Sequence, residues 1–489
     1  MNYATPEKMG IRSSYIQEYV ESLEKASLST HDIIIMRGDN IVFEKYYAPF
    51  HKDFLHRMYS VTKSFVALAV GFSEQDGLIN LDEPILQYFP EELKNQDDEN
   101  MKKQTVRHML MMATAKPDRG WFSLRPDDRV KCYFENDLKQ SRPSGTIFSY
   151  DSGGSFVLGA LVEKITGKTL TDYLRDKLFD KIGVSKEAYM LKCPGGHSWG
   201  DSGLLCTASD LLKVARFCLN GGSWKGEQIL NKEFMEKATT KQIDSREQGV
   251  GNFDEQGYGY QFWMCYGNSF FFNGMGCQLA LCIPQKDLIL VYNGDNQGNV
   301  FAKKQIIDGF FELVVNKTLD TEIRENPAEQ ESLNEYAASL KLFAVRGEKH
   351  CSIEKEVNGV TYQMSPNPMG ITRMKLEIRE NSGILYYTNA QGDKELPFGL
   401  CCNEISLFPQ EGYSDLIGSQ KGNRLYRCAS SGAWVSEKEF FIKVQVIDTY
   451  FGNLNIHFGF RKDGKVGIFM SKTAEDFLNE YQGFAEGKH

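Results

Sequence analysis

The sequence predicts an α/β (α+β) chain in two parts: an antiparallel sheet flanked by helices and carrying a helical lobe, then an all-β, barrel-like C-terminal domain. Three observations predict it. A hairpin pattern at 32–47 opens a sheet. Mostly helical signals then run from about residue 60 to 245, before aromatic and aliphatic strand patterns return at 257–292. From about 346 onward only strand-length runs separated by turns remain. At 489 residues the chain is also too long for one ordinary core.

The elements justify themselves in order. Residues 15–25 set Val20 and Leu23 among charges at helical spacing. In 32–47, two β-rich runs flank Gly38-Asp39-Asn40, a hairpin turn. Ser60 opens an apolar run through Val70 that reads as a buried helix, ended at Asp76-Gly77, and Pro84 sits in the first turn of the next. Short amphipathic helices follow at 105–112, at 155–165 before Gly167, and at 207–220 before Gly221-Gly222. Strand-like runs occupy 257–265, 269–272, 278–283 and 288–292, with a closing helix at 303–315. A first domain thus spans 1–320, its helical insert at about 60–245, and its two lobes leave a cleft between them, a usual place for a site. Residues 320–335 are charged, contain Pro327 and lack an apolar stripe, so 321–345 reads as a linker. In 346–489, runs such as 385–388, 440–446 and 465–470 alternate with turns such as Asn358-Gly359 and Asp463-Gly464.

Composition narrows the function. The chain is 41% hydrophobic and 25% charged with a formal charge of −9, which disfavours a nucleic-acid binder. Its 11 cysteines are odd in number and scattered, and read as reduced thiols. The N-terminus has no signal-peptide pattern, and the longest apolar run, Phe65–Phe72, is too short to span a membrane, so the expected location is cytoplasmic. The eight histidines show no metal-ligand spacing, and no phosphate loop or dinucleotide fingerprint occurs, so neither metal nor cofactor is expected. The oligomeric state is left open.

The chemistry begins at Ser60-Val61-Thr62-Lys63. Three apart on a helix, Ser60 and Lys63 share a face. A serine at a helix N-terminus lies beside unpaired N–H groups and the positive end of the helix dipole. A lysine one turn on can take its proton where burial favours the neutral amine. Ser-x-x-Lys occurs three times, at Ser22/Lys25, Ser60/Lys63 and Ser352/Lys355, but only Ser60 precedes an unbroken apolar helix. Tyr150-Asp151-Ser152 follows a turn and precedes a helix. A tyrosine beside a cationic lysine can act as base and then acid, and Ser152 would hydrogen-bond into the same cleft. The plainer alternative is a packed turn residue followed by a helix cap. The third segment, Phe272–Gln278, sets Asn273, Gly274 and Met275 between two strands. If Gly274 admits a ligand to the strand edge, the backbone N–H groups of Met275 and Ser60 can point at an oxyanion. The alternative is an ordinary strand connection. Gly196-His197-Ser198-Trp199-Gly200 matches a nucleophile elbow, but no buried strand precedes it and no helix follows, so Ser198 is not expected to be the nucleophile.

In their order and separation, these three segments resemble the motifs of the serine β-lactamase and penicillin-binding-protein superfamily, most of all its class C-like branch of esterases, D-aminopeptidases and nylon-oligomer hydrolases. Lesser signatures join them: 78–84, 105–110, Gly203-Leu204-Leu205 with Thr207–Asp210, and Tyr258-Gly259-Tyr260. The likeness covers about residues 5–318 and implies a β-lactamase-like fold; 346–489 resembles the lipocalin-like β domains appended to some members. It implies that Ser60 attacks a carbonyl to form an acyl-enzyme, that Lys63 and Tyr150 share the proton transfer, and that water releases the acyl group. Ser152 stands where asparagine or serine is usual. Phe272 stands where members often carry a basic residue that holds a substrate carboxylate, a departure that argues against an efficient β-lactamase or D,D-peptidase. The resemblance therefore implies a serine hydrolase acting on a small ester or amide. The alternatives are a β-lactamase or D-amino-acid peptidase/D,D-carboxypeptidase with an unusual third motif, or a weakly catalytic binding protein.

Overall fold

The computed structural model describes residues 1–489 apart from 118, 119, 125, 136–140, 247–250, 414–424 and 476. The chain divides into two compact units, Met1–Lys341 and Leu342–His489.

The first unit is built on a seven-stranded sheet of β1 (Asn2–Tyr3), β2 (Thr30–Arg37), β3 (Asn40–Tyr46), β4 (Trp263–Met264), β5 (Phe270–Gly274), β6 (Gln278–Ile283) and β7 (Leu288–Gly294), in the order β1-β3-β2-β7-β6-β5-β4. All neighbours are antiparallel except β1 on β3. The predicted hairpin forms β2 and β3 around Gly38 at φ +55°. β7 then pairs with β2, so strands from beyond the helical insert complete the sheet that the hairpin begins.

Its longest helices are α1 (Ser13–Lys25), α2 (Thr62–Gln75), α3 (Ser152–Thr166), α4 (Ala208–Leu219), α5 (Ala302–Leu313) and α6 (Pro327–Ser339). The central strands are apolar on both faces because both faces are covered. On one, α1 and α5 pack with Tyr19 edge-on to Phe310 in a core with Ile33, Leu281 and Leu290. On the other lies α4, where Cys282 Sγ reaches the Ala215 carbonyl at 3.7 Å. α2 is apolar all round because every residue from Thr62 to Ser73 is buried. Each large aliphatic side chain it buries contributes about 1.5–3 kcal/mol.

Four expectations are corrected. α3 starts at Ser152 rather than Ser155, because Asp151 caps it by accepting the Gly154 N–H at 3.0 Å. Of 257–265, read as a strand, only Trp263–Met264 forms one, Tyr258 makes isolated bridges, and Gln261 stands at φ +64°. The expected linker contains α6, which starts at an Asn326 cap and Pro327 and buries Leu333 in the core shared with α1. One buried leucine is too thin a stripe to show as a period. A small sheet joins Leu204–Cys206 and Tyr189–Met190 of the helical insert to His56–Arg57 just before it, its strands too short to carry any pattern.

The second unit contains β8 (Thr361–Met364), β9 (Arg373–Ile378), β10 (Ser382–Asn389), β11 (Gly392–Leu400), β12 (Glu404–Leu407), β13 (Arg427–Trp434), β14 (Glu439–Ile447), β15 (Phe451–Phe460), β16 (Lys465–Ala474) and β17 (Gly483–Lys488). The order is β11-β10-β9-β8-β17-β16-β15-β14-β13-β12, and β11 also pairs with β13. Nine strands therefore close into a barrel, and β12 lies outside the ring. Its interior is packed with aromatic rings: Trp434 and Phe398 both meet Phe440, at 5.2 and 5.6 Å between centroids.

No helix among the described residues is long and apolar enough to cross a membrane, and all 11 cysteines are free thiols.

Asp32, on β2, accepts the Asn293 side-chain amide at 2.8 Å. Burial pushes its carboxyl up from 3.8 to about 8; the Asn293 bond opposes the rise and the Glu44 charge adds to it. The folded state thus keeps a proton that the unfolded chain releases, so stability falls as pH climbs from about 4 to about 8. Asp32→Asn is expected to melt above the wild type at about pH 9 and to lose that margin towards about pH 4. Thermal melts at both pH values check this, and an equal margin at both would refute it.

Candidate active site

The backbone before α2 places Ser60. It lies in a 3-10 turn, Tyr59–Val61, and the α-helix begins only at Thr62. Tyr59 stands at φ +46°, a strained value for a tyrosine, immediately before Ser60. The turn is tied down on both sides. Met58 N–H donates to the Leu204 carbonyl at 2.9 Å, and Thr62 Oγ1 donates to the Tyr59 carbonyl at 2.6 Å while accepting the Leu204 N–H at 3.0 Å.

Lys63, one turn on, is 1% exposed. Its Nζ lies 2.9 Å from Ser60 Oγ, 2.6 Å from the Asp201 carbonyl oxygen and 5.1 Å from the centre of the Tyr150 ring. Tyr150 is half-buried and stacks on Trp263, centroids 5.8 Å apart. The chain on either side of it is fixed: Ser149 N–H donates to the Met112 carbonyl at 2.8 Å, and the Asp151 carboxylate takes Thr114 Oγ1 at 2.7 Å besides capping α3. Ser152 is the buried first residue of α3, and its neighbour Asp151 serves as the cap.

The third segment comes to the same place. β4 pairs only with Phe270 and Phe271, so from Phe272 on β5 has no strand on its outer side among the described residues. The Ser60 turn packs against this end of β5. A Cβ on Gly274 would stand 2.5 Å from the Met58 carbonyl oxygen, so the position requires glycine for close backbone approach. Met275 follows in the tight connection to β6. Its carbonyl takes Gln278 Nε2 at 2.6 Å, and the next carbonyl, that of Gly276, takes the Asn296 N–H at 3.1 Å. The Ser60 and Met275 N–H groups have no acceptor among the described residues. Asn273 Oδ1 is buried without a donor among them. Phe272 is wholly buried, edge-on to Phe262 at 4.9 Å and to Phe65 at 6.3 Å, and brings no charge to the cleft.

Ser198 lies elsewhere. It forms an isolated bridge to Lys192, its N–H donates to the Glu163 carboxylate, and no helix follows it, so the elbow geometry is absent. Among the described residues no group of three or more His, Cys, Asp or Glu side chains is placed to hold a metal.

Sequence reasoning missed Trp263, the wall behind Tyr150, and Asp201. Trp263 sat in a run read only as strand. Asp201 was the residue after a failed elbow motif, and its one signal was an acid among glycines in a stretch with no period.

A hydroxyl within hydrogen-bond reach of an amine, a phenol against that amine, and two unpaired backbone donors at hand make an arrangement suited to acyl transfer. The family model "Beta-lactamase" matches residues 14–306, more than half the chain. The 6-aminohexanoate-dimer hydrolase of Paenarthrobacter ureafaciens is 26% identical over 284 residues, 54% of this chain and 72% of that protein. Penicillin-binding protein 4 of Amycolatopsis lactamdurans is 31% identical over 112 residues, 18% of this chain and 29% of that one. The solved structure of the octameric penicillin-binding protein homologue from Pyrococcus abyssi is similar in fold, with a TM-score of 0.50 and 17% identity over 97% of this chain and 99% of that one. The chain belongs to the Beta-lactamase family and is a serine hydrolase of it.

Proposed function

We propose that Ser60 is the nucleophile that opens a small linear ester or amide through an acyl-enzyme. The observation that carries this is the 2.9 Å contact of Lys63 Nζ with Ser60 Oγ, with Tyr150 against the same amine. Ser60 Oγ bonds to the substrate carbonyl carbon while its proton passes to the Lys63 amine, with Tyr150 sharing the transfer. The Ser60 and Met275 N–H groups take the oxyanion. The carbonyl re-forms, the C–O or C–N bond breaks, and the leaving group departs with the proton. Water then attacks the acyl-enzyme by the same route and frees Ser60. Ser152, Asn273 and Gly274 line or position the site.

Buried Phe272 offers a carboxylate no counter-charge, which supports a substrate other than a penicillin. The relation to a 6-aminohexanoate-dimer hydrolase supports a linear amide. Free thiols at every cysteine support a reducing, cytoplasmic location.

A fluorophosphonate probe is expected to label the wild type and Ser198→Ala but not Ser60→Ala; labelling that survives Ser60→Ala and vanishes in Ser198→Ala would sink the assignment. In a panel of a p-nitrophenyl ester, the linear 6-aminohexanoate dimer and a chromogenic cephalosporin, the ester or amide should turn over faster. Preference for the cephalosporin would overturn the substrate class. Lys63→Ala should lower kcat/KM by about 10²-fold or more, as for a lost proton-transfer group, and a near-normal rate would leave Tyr150 sufficient alone. Gly274→Ala, with its added Cβ pressing on a backbone carbonyl, should lose activity on the order of 10²-fold in a chain that still folds by circular dichroism. An unchanged rate would place the substrate away from this strand.

A further inference from the structure

One wholly buried carboxylate touches this site and has no part in the reaction above. Asp201 is 0% exposed. Its main-chain oxygen accepts Lys63 Nζ at 2.6 Å, its Oδ2 accepts Trp121 Nε1 at 3.0 Å, and its Oδ1 is buried with no donor among the described residues. Its surroundings are fixed as firmly. The Arg129 guanidinium lies 4.0 Å from the centre of the Trp121 ring and donates to the Trp121 carbonyl at 2.9 Å. Arg57 Nε donates to the carbonyl of the next residue, Ser202, at 2.7 Å, and Gly203 N–H donates back to the Trp199 carbonyl at 2.7 Å.

The charged and titratable groups facing Asp201 are Lys63 from α2, Arg57 from the strand before the Ser60 turn, Arg129 from the helix Arg129–Glu135 and the Cys193 thiol. Tyr150 lies beyond Lys63. Burial pushes the carboxyl up, and the Lys63 and Arg129 charges pull against it. A carboxylate oxygen buried without a donor is unfavourable for folding alone, and such a group calls for a reason beyond packing. The geometry supplies one. An N–H directed at the Asp201 carbonyl holds the Lys63 amine against the Ser60 hydroxyl. The ammonium that forms when Ser60 gives up its proton then lies in the field of the carboxylate.

We propose that Asp201 is a positioning residue for the Ser60 reaction: its carbonyl aims the Lys63 amine at Ser60 Oγ, and its carboxylate, pinned by Trp121, steadies the positive charge that gathers on that amine as Ser60 gives up its proton. This rests on Ser60 being the nucleophile. The test follows hydrolysis of a p-nitrophenyl ester across pH in the full chain, comparing wild type, Asp201→Asn and Trp121→Phe, with Ser60→Ala as control. Asp201→Asn should keep the wild-type circular dichroism, lower kcat by about 10-fold with KM little changed, and move one limb of the kcat/KM profile to lower pH by about one unit. Trp121→Phe keeps the charge but unpins it, and should lower kcat while leaving the limb in place. An Asp201→Asn profile that superimposes on the wild type, or moves to higher pH, overturns the proposal. Should Asp201→Asn fail to fold, Trp121→Phe decides, and an unchanged kcat there overturns it. Failure of the underlying reading shows separately, as a Ser60→Ala variant that keeps its rate.

Discussion

A lysine amine buried to 1% exposure must find its acceptors inside the protein, and much of the first unit supplies them. Stripping a cation of water without partners costs several kcal/mol. Here the amine meets a hydroxyl, a backbone carbonyl and the face of an aromatic ring, each from a different part of the chain. None of these is held by local structure alone. Ser60 is set by a turn laced to Leu204, Asp201 by a loop clamped by Arg57 and Trp121, and Tyr150 by the cap of α3 and the indole of Trp263. α2 can carry the lysine into the interior because the rest of its surface is apolar and packed on every side.

The same demand explains why the sheet is assembled from the two ends of its unit. The early hairpin alone would leave β2 without its partner β7. With β7, β6 and β5 added, the end of β5 comes to rest under the Ser60 turn, close enough that Gly274 tolerates no side chain. Sheet pairing thus sets the turn that holds Met275, while α2 sets Lys63.

What was legible in the sequence follows from how far each feature depends on its own neighbours. The hairpin, α1, β6 and β7 carry their own period or turn chemistry and fall within a residue or two of their predicted places. Ser60, Lys63 and Tyr150 were legible as residue types in a familiar order, and the structure brings them together. Features made by distant contacts were not legible. The small sheet through His56–Arg57 exists because Leu204–Cys206 lies beside it. α6 buries only Leu333 fully, with Tyr336 and Ala337 half-buried against the same core. Asp201 meets Lys63 through a carbonyl oxygen, and every residue has one, so its side chain announced nothing. The start of α3 slipped for a simpler reason: Asp151 was read as part of a catalytic tripeptide, and its capping role was overlooked.

Phe272 turns a departure from the family pattern into a statement about the fold. Side chains alternate along β5, so Phe272 and Gly274 share one face and Phe271 and Asn273 the other. On the first face Phe272 is locked between Phe65 of α2 and Phe262, and a cation there would be buried among rings with no carboxylate to meet it. The loss of charge is therefore built into the packing that seats α2, and a single substitution to lysine would disturb the helix that carries Lys63. The other face is different. Phe271 stacks on Trp263, which in turn stacks on Tyr150, and the alternation puts Asn273 on that side with a buried, unpaired amide oxygen. At this strand a neutral amide oxygen thus stands beside an aromatic wall, while the opposite face offers only packed rings.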